Sequence, residues 1–144
     1  MSPDFIQIGF QKCGTTFLEK NVYPKNSSLN VIQAAKYLDL ENTLLNHLIL
    51  PDRLEFDIEL FQQSFNKYYS PFYQKSKING IMFEAFTFLY ERRFDRKNVI
   101  ERLKVLFPKT KIIIFIRSQD TWLVSHYSQY IKSGGLLNFN DFIE

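Results

Sequence analysis

Apolar positions along the chain change period several times, and each change marks an expected element. Phe5 to Gly9 alternates and ends in glycine, as a half-buried strand does. A glycine-containing turn follows, then a helix from about Thr16 that Pro24 closes, because the residue before a proline disfavours the α region. Between Ser28 and Leu50 the apolar residues Leu29, Ile32, Ala35, Leu38, Leu45 and Leu48 fall mostly at three- and four-residue steps, which predicts one or two helices broken near Asp39 to Asn42. A stronger stripe, Leu54, Ile58, Phe61, Phe65 and Tyr69, predicts an amphipathic helix whose apolar face is core packing.

Asn79-Gly80 reads as a turn and Ile81 to Phe86 as a second strand. Val99, Ile100, Leu103, Leu106 and Phe107 carry the next helix, which Pro108 stops. Lys111 leads into a third strand, Ile112 to Ile116, whose unbroken apolar character predicts a parallel strand covered on both faces. A helix is expected from Thr121, capped by Ser118 or Asp120 and stopped at Gly134-Gly135. Asn138 or Asn140 then caps a new helix that the sequence ends within. Strands alternating with helices give an α/β fold: a parallel sheet flanked by helices, a three-layer sandwich. Three strands make a narrow sheet, so the expectation is a single domain over 1–144 that is incomplete at its C-terminal side.

Composition narrows the chemistry. Fifteen Phe and eight Tyr among 144 residues, with 45% apolar residues overall, exclude disorder and predict an aromatic core. A net charge of +3 permits an anionic ligand, but nothing resembles a nucleic-acid-binding run. The longest stretch of aliphatic and aromatic residues, IIIFI at 112–116, is far short of a membrane span. One cysteine, Cys13, and the lack of a leader pattern predict a reducing, cytoplasmic setting. No spacing of His, Cys, Asp and Glu suggests a metal site.

The candidate chemistry begins in FIQIGFQKCGTTFLEK, residues 5–20. Gly9 and Gly14 keep the spacing of the nucleoside-triphosphate loop GxxxxGK(S/T), yet Thr15 stands in place of its lysine and the lysine is at Lys12. Strand, glycine turn and helix N-terminus still make an anion site, because successive backbone N–H groups point into the turn and the helix dipole adds positive potential. Gly14 allows close approach, Thr15 and Thr16 offer hydroxyls, and Lys12 supplies a charge. A second candidate lies in KIIIFIRSQDTWLVSHYSQYIKSGG, where Arg117 leaves the carboxyl end of a strand and Ser125 follows on the next helix.

Together these segments resemble the sulfotransferases that use 3′-phosphoadenosine 5′-phosphosulfate (PAPS), nearest the Golgi-type carbohydrate enzymes and their bacterial relatives. IGFQKCGTTFL is similar to their 5′-phosphosulfate loop, and Arg117 to Ser125, with Tyr127 after it, to their 3′-phosphate site. The resemblance implies that Lys12, Cys13, Gly14, Thr15, Thr16, Phe17, Arg117 and Ser125 bind PAPS. It implies sulfuryl transfer to a hydroxyl or amine of a carbohydrate or small acceptor, with Lys12 meeting the charge on the leaving phosphate and the bisphosphate PAP left behind. No metal is required.

The chain departs from the family in two places. Where the carbohydrate branch carries a Lys-Glu pair with its general base, this sequence has VIQAAKYLDL, with Ala34 and Ala35. The middle strand reads FEAFTFLY, keeping Glu84 but placing Ala85 where a lysine is common. Glu84 becomes the candidate base, and His126 is an alternative only if its helix turns it inward. His47 and Trp122 read as packing or surface residues, and Arg92, Arg93, Arg96 and Lys97, interleaved with Glu91 and Asp95, as a solvated helix start or a grip for an anionic glycan. Two other functions stay open: a P-loop nucleotide kinase or NTPase, and a non-catalytic PAP-binding fragment.

Overall fold

The structure, a computed structural model, describes residues 2–9, 12–86 and 95–143. Four parallel strands form one sheet in the order β2-β3-β1-β4: β1 (Phe5–Gly9), β2 (Leu29–Gln33), β3 (Ile78–Met82) and β4 (Lys111–Phe115). Helices connect them, so the α/β class with a parallel sheet flanked by helices holds.

β2 is a strand the periodicity assigned to a helix. Leu29 and Ile32 mimic a helical step, but Val31-Ile32 is β-branched and pairs in parallel register with Gly80-Ile81. Sheet pairing decides such a short segment. The chain then makes a 3₁₀ turn, Ala34–Lys36, and a helix α2 (Leu38–Leu44) that runs through the expected break into a π-helical turn, Leu45–Ile49. α3 (Ile58–Tyr69) starts later than its apolar stripe, because the Asp57 carboxylate accepts from Leu60 N–H and caps it there, leaving Leu54 97% exposed.

Asn79-Gly80 is not a turn but the middle of β3, and both residues are buried. Asn79 fits because its side-chain amide is fully used: Nδ2 donates to the Gln74 and Lys77 carbonyls, and Oδ1 accepts from Asn30 Nδ2 and Gln74 N–H. Gly80 fits because the Phe5 ring lies against it. The strand ends at Met82, and Glu84–Phe86 forms a 3₁₀ turn rather than more strand.

One sheet face carries Ile6, Ile8, Ile32 and Ile81 and packs on α2, α3 and α4 (Arg96–Leu106), with Phe61, Phe65, Tyr69 and Phe107 stacked between. The opposite face sets Gln7, Met82 and Gln33 side by side in register. It meets the helical segment after the β1 loop: α1 (Thr15–Phe17), a π-helical turn Leu18–Val22 and a 3₁₀ turn Tyr23–Lys25, whose Tyr23 hydroxyl donates to Gln7 Oε1. The expected regular helix is thus only one α turn long before it widens and tightens ahead of Pro24, which has no N–H to continue it.

β4 corrects the expectation of cover on both faces. It is the edge strand beyond β1, and Ile112, Ile113 and Ile114 are 45%, 36% and 55% exposed. Its apolar run reflects pairing with β1 rather than a helix over it among the described residues. α5 (Gln119–Lys132) follows with Ser118 as N-cap, starting two residues before the expected Thr121. Gly134, at φ 90°, ends it, and α6 (Phe139–Ile143) starts after Asn138, whose Oδ1 accepts from Asp141 N–H. No helix among the described residues is long and apolar enough to cross a membrane.

Candidate functional site

β1 and β4 are adjacent, so the loop leaving β1 and the segment leaving β4 come together at the carboxyl edge of the sheet. In the loop, Lys12 has φ 64° and Gly14 φ 87°. A left-handed lysine is strained, and such strain concentrates at ligand sites. A Cβ at Gly14 would meet nothing within 4 Å, so glycine is required there by the backbone and not by crowding.

The structure ties the two candidate segments directly. Arg117 Nη1 donates to the Lys12 carbonyl at 3.2 Å, and its Nε donates to Thr121 Oγ1 at 3.0 Å. Lys12 Nζ reaches α5 and donates to Gln129 Oε1 at 2.9 Å. Thr121, Ser125 and Gln129 recur every four residues, so half-buried Ser125 lies in the row of α5 residues that faces the loop. Arg117 bonds Thr121 and the loop carbonyl rather than Ser125. Thr121 and Gln129 were missed in the sequence, where a polar residue inside a helix carries no local signal.

Between loop and helix lies a mostly apolar cavity of about 320 Å³ lined by Cys13, Ile116, Arg117, Gln119 and Trp122. Trp122, read from sequence as packing or surface, is a wall of it, with its ring 4.1 Å from that of His126. α5 does turn His126 inward, to 8% exposure. Burial, and next the Lys12 ammonium, hold its imidazole below the ordinary value of 6.5. In the first turn of α5, the exposed Asp120 carboxyl is held below its usual range, chiefly by the Thr121 backbone N–H and then by the Ser118 hydroxyl.

On the other side of the loop, Thr15 is buried and its hydroxyl donates to Glu84 Oε1 at 2.5 Å. The fold therefore brings together the residue standing in the lysine position of the nucleotide loop and the candidate base, across the adjacent strands β1 and β3. Thr16 and Phe17 are exposed, Phe17 at 63%, and Cys13 is half-buried. Ala34 and Ala35, in the region where the family's Lys-Glu pair was expected, open the 3₁₀ turn after β2, Ala34 fully buried and Ala35 exposed. Arg92, Arg93 and Glu91 lie outside the described residues; Arg96 and Lys97 open α4 behind an Asp95 cap. Among the described residues no group of three or more His, Cys, Asp or Glu can hold a metal ion.

No family model and no curated protein matches the chain. Among solved structures, a sulfotransferase from Alicyclobacillus acidocaldarius superposes with a TM-score of 0.59 over 98% of this chain, at 17% identity. The fold is therefore sulfotransferase-like, and the chain spans 55% of that protein's length.

Proposed function

We propose that the chain binds PAPS across the carboxyl edge of β1 and β4 and transfers its sulfuryl group to an acceptor hydroxyl or amine. The observation that carries this reading is the tie of the Lys12–Thr16 loop to Arg117 and to Gln129 of α5, which brings the two candidate anion-binding segments around one cavity. The sulfotransferase-like fold supports it.

The donor set fits a ligand with phosphate at both ends. Lys12, the loop N–H groups and Thr16 would hold the 5′-phosphosulfate; Arg117 and Ser125 would hold the 3′-phosphate; Cys13 and Trp122 would flank the nucleoside between them. PAPS supplies an activated sulfuryl group. Lys12, moving from its neutral partner Gln129, neutralises charge on the leaving phosphate oxygen. Glu84, oriented by Thr15, accepts the acceptor's proton as the new oxygen–sulfur or nitrogen–sulfur bond forms.

Titration calorimetry with PAP and AMP tests the reading. The two ligands differ only in the 3′-phosphate, and a charge-assisted hydrogen bond is worth roughly 1.5–3 kcal/mol, so PAP should bind about ten- to a hundredfold more tightly. Arg117 also holds the Lys12 carbonyl, so Arg117→Ala should weaken both ligands; Ser125→Ala leaves that tie intact and should weaken PAP alone, several-fold. Equal affinities of the unaltered protein for PAP and AMP would overturn the proposal, as would tighter binding of ATP with magnesium. The Ala34-Ala35 pair standing in place of a Lys-Glu pair favours a second reading, binding without turnover, which PAP affinity with no sulfuryl release to any acceptor would establish.

A further inference from the structure

We infer that a second cavity, walled by the helical segment that leaves the β1 loop and floored by β2, binds a free α-amino acid with an aliphatic side chain. The site is separate from the one proposed above: it shares no lining residue with the cavity of Arg117 and Trp122. It measures about 320 Å³, at the small end of the roughly 300–1,000 Å³ usual for small-molecule sites. That size suits a ligand smaller than a nucleotide.

The floor is apolar. Side chains alternate along a strand, so Leu29 and Val31 share one face of β2 with Gln33, which pairs in register with Met82 of β3. Leu29 and Val31 line the cavity and are only half-buried, which leaves apolar surface for an aliphatic side chain to cover. Tyr23 adds a wall whose hydroxyl is already donated to Gln7 Oε1.

Two opposite charges stand around this floor. Half-buried Glu19, on the π-helical turn, and exposed Lys36, at the end of the 3₁₀ turn after β2, both line the cavity, and neither takes part in an ion pair among the described residues. Burial, and next the Glu19 carboxylate, hold the Tyr23 phenol above its ordinary value, so the Glu19 charge acts on the cavity wall and not only on solvent. A ligand of single charge would be attracted by one of these groups and repelled by the other, and a neutral one would leave both without a partner. An α-amino acid carries an ammonium, a carboxylate and a side chain on one carbon. It can set the ammonium toward Glu19, the carboxylate toward Lys36 and the side chain on Leu29 and Val31.

Nuclear magnetic resonance titration of the full chain with L-leucine, first without PAP, tests this. Saturable shifts of the Glu19, Val31 and Lys36 backbone amides are expected. Glycine, which lacks the side chain, and N-acetyl-L-leucine and L-leucinamide, which each lack one charge, should bind more weakly. Glu19→Gln should weaken leucine about fivefold, the strong end of what an exposed ion pair supplies, and erase the preference over N-acetyl-L-leucine; Lys36→Met should do the same against L-leucinamide. Both positions reach solvent, so neither change should unfold the chain. No saturable response to leucine overturns the inference, as do equal binding of glycine or of either blocked derivative, and indifference to both variants. Leucine shifts should persist when PAP is then added to saturation; displacement would mean one shared site and overturn it too. Failure of PAP to bind overturns only the function proposed above, since leucine has by then been titrated alone.

Discussion

Lys12 combines a strained backbone with a charge aimed across the site, and the two properties predict opposite responses to one substitution. A side-chain-bearing residue at φ 64° costs on the order of 1 kcal/mol that glycine does not incur, and the exposed bond to Gln129 returns little. Lys12→Gly is therefore expected to leave stability unchanged or raise it by up to about 1 kcal/mol, while slowing sulfuryl transfer about a hundredfold for want of a charge on the leaving group. Urea denaturation and single-turnover kinetics on the same variant read both; a loss of stability with unchanged turnover would make Lys12 structural. His126 gives a pH prediction at the same scale. Its depressed value means that the unfolded chain takes up the proton first, so the contribution is complete above about pH 6.5 and is lost as pH falls through the lower folded value. Stability should decline between pH 7 and 5, and His126→Gln should flatten that decline; an unchanged slope would assign it to other groups. Lys12, Gly14, Arg117 and Ser125 were legible because a glycine loop and a strand tip are local patterns. Thr121, Trp122 and Gln129 were not, since their roles arise only when β1 and β4 pair and bring the loop against α5.

At the scale of elements, the predictive errors share a cause: a short segment whose local signal is overruled by its neighbours in space. Asn79-Gly80 carries a strong turn signal, yet Asn79 is satisfied within β3 and a Cβ on Gly80 would come within 2.1 Å of Phe5 Cζ. The glycine is there for the Phe5 ring, buried to 7% exposure, and not for a left-handed backbone. Gly80→Ala should consequently cost about 1–3 kcal/mol, as overpacking does, and Phe5→Val should recover part of it in the double variant. Additive losses in a denaturation cycle would show that the ring is not the obstacle. Arg102 of α4 teaches the converse. Its place among Val99, Leu103 and Leu106 looks like an ordinary helical cation, but it is 6% exposed, donates to the Leu48, Pro51 and Asp52 carbonyls and stacks on Phe56 at 4.3 Å. It terminates the π-helical turn after α2, where orphan carbonyls need donors. Long periodic elements such as α3, with Phe61, Phe65 and Tyr69 on one face, were readable because burial and period agree. Five-residue β2 was not, because its pairing with β3 is non-local.

Across the whole molecule, burial is lopsided, and this sets the last prediction. The core lies under β2, β3 and β1, whereas β4 offers an apolar strand with one edge unpaired within the sheet. Ile112 and Ile114 continue the row of Ile6 and Ile8, so the core face runs out to the rim without its cover among the described residues. Next to it Ile116 is 79% exposed and, farther along the chain, Leu136 is 95% exposed. The sequence reported the apolar character of IIIFI correctly but not its surroundings, because a continuous apolar run reads the same whether or not a helix lies over it. β4 has high β propensity and no proline, and its single charge, Lys111, lies at one end; such open edges add further strands, from any chain that offers one. The isolated 144-residue chain should therefore associate as its concentration rises, with the added strand pairing along β4. Ile114→Lys places an ammonium on the exposed face, where 55% of the residue already meets solvent, and should suppress association without lowering the unfolding midpoint by more than about 0.5 kcal/mol equivalent. Sedimentation velocity across a hundredfold range of concentration separates the outcomes: a monomer throughout for the unaltered chain, or equal association of both proteins, would mean that β4 is not the adhesive surface. Ile100→Lys, on α4 at 57% exposure, is the matched control and should leave association unchanged.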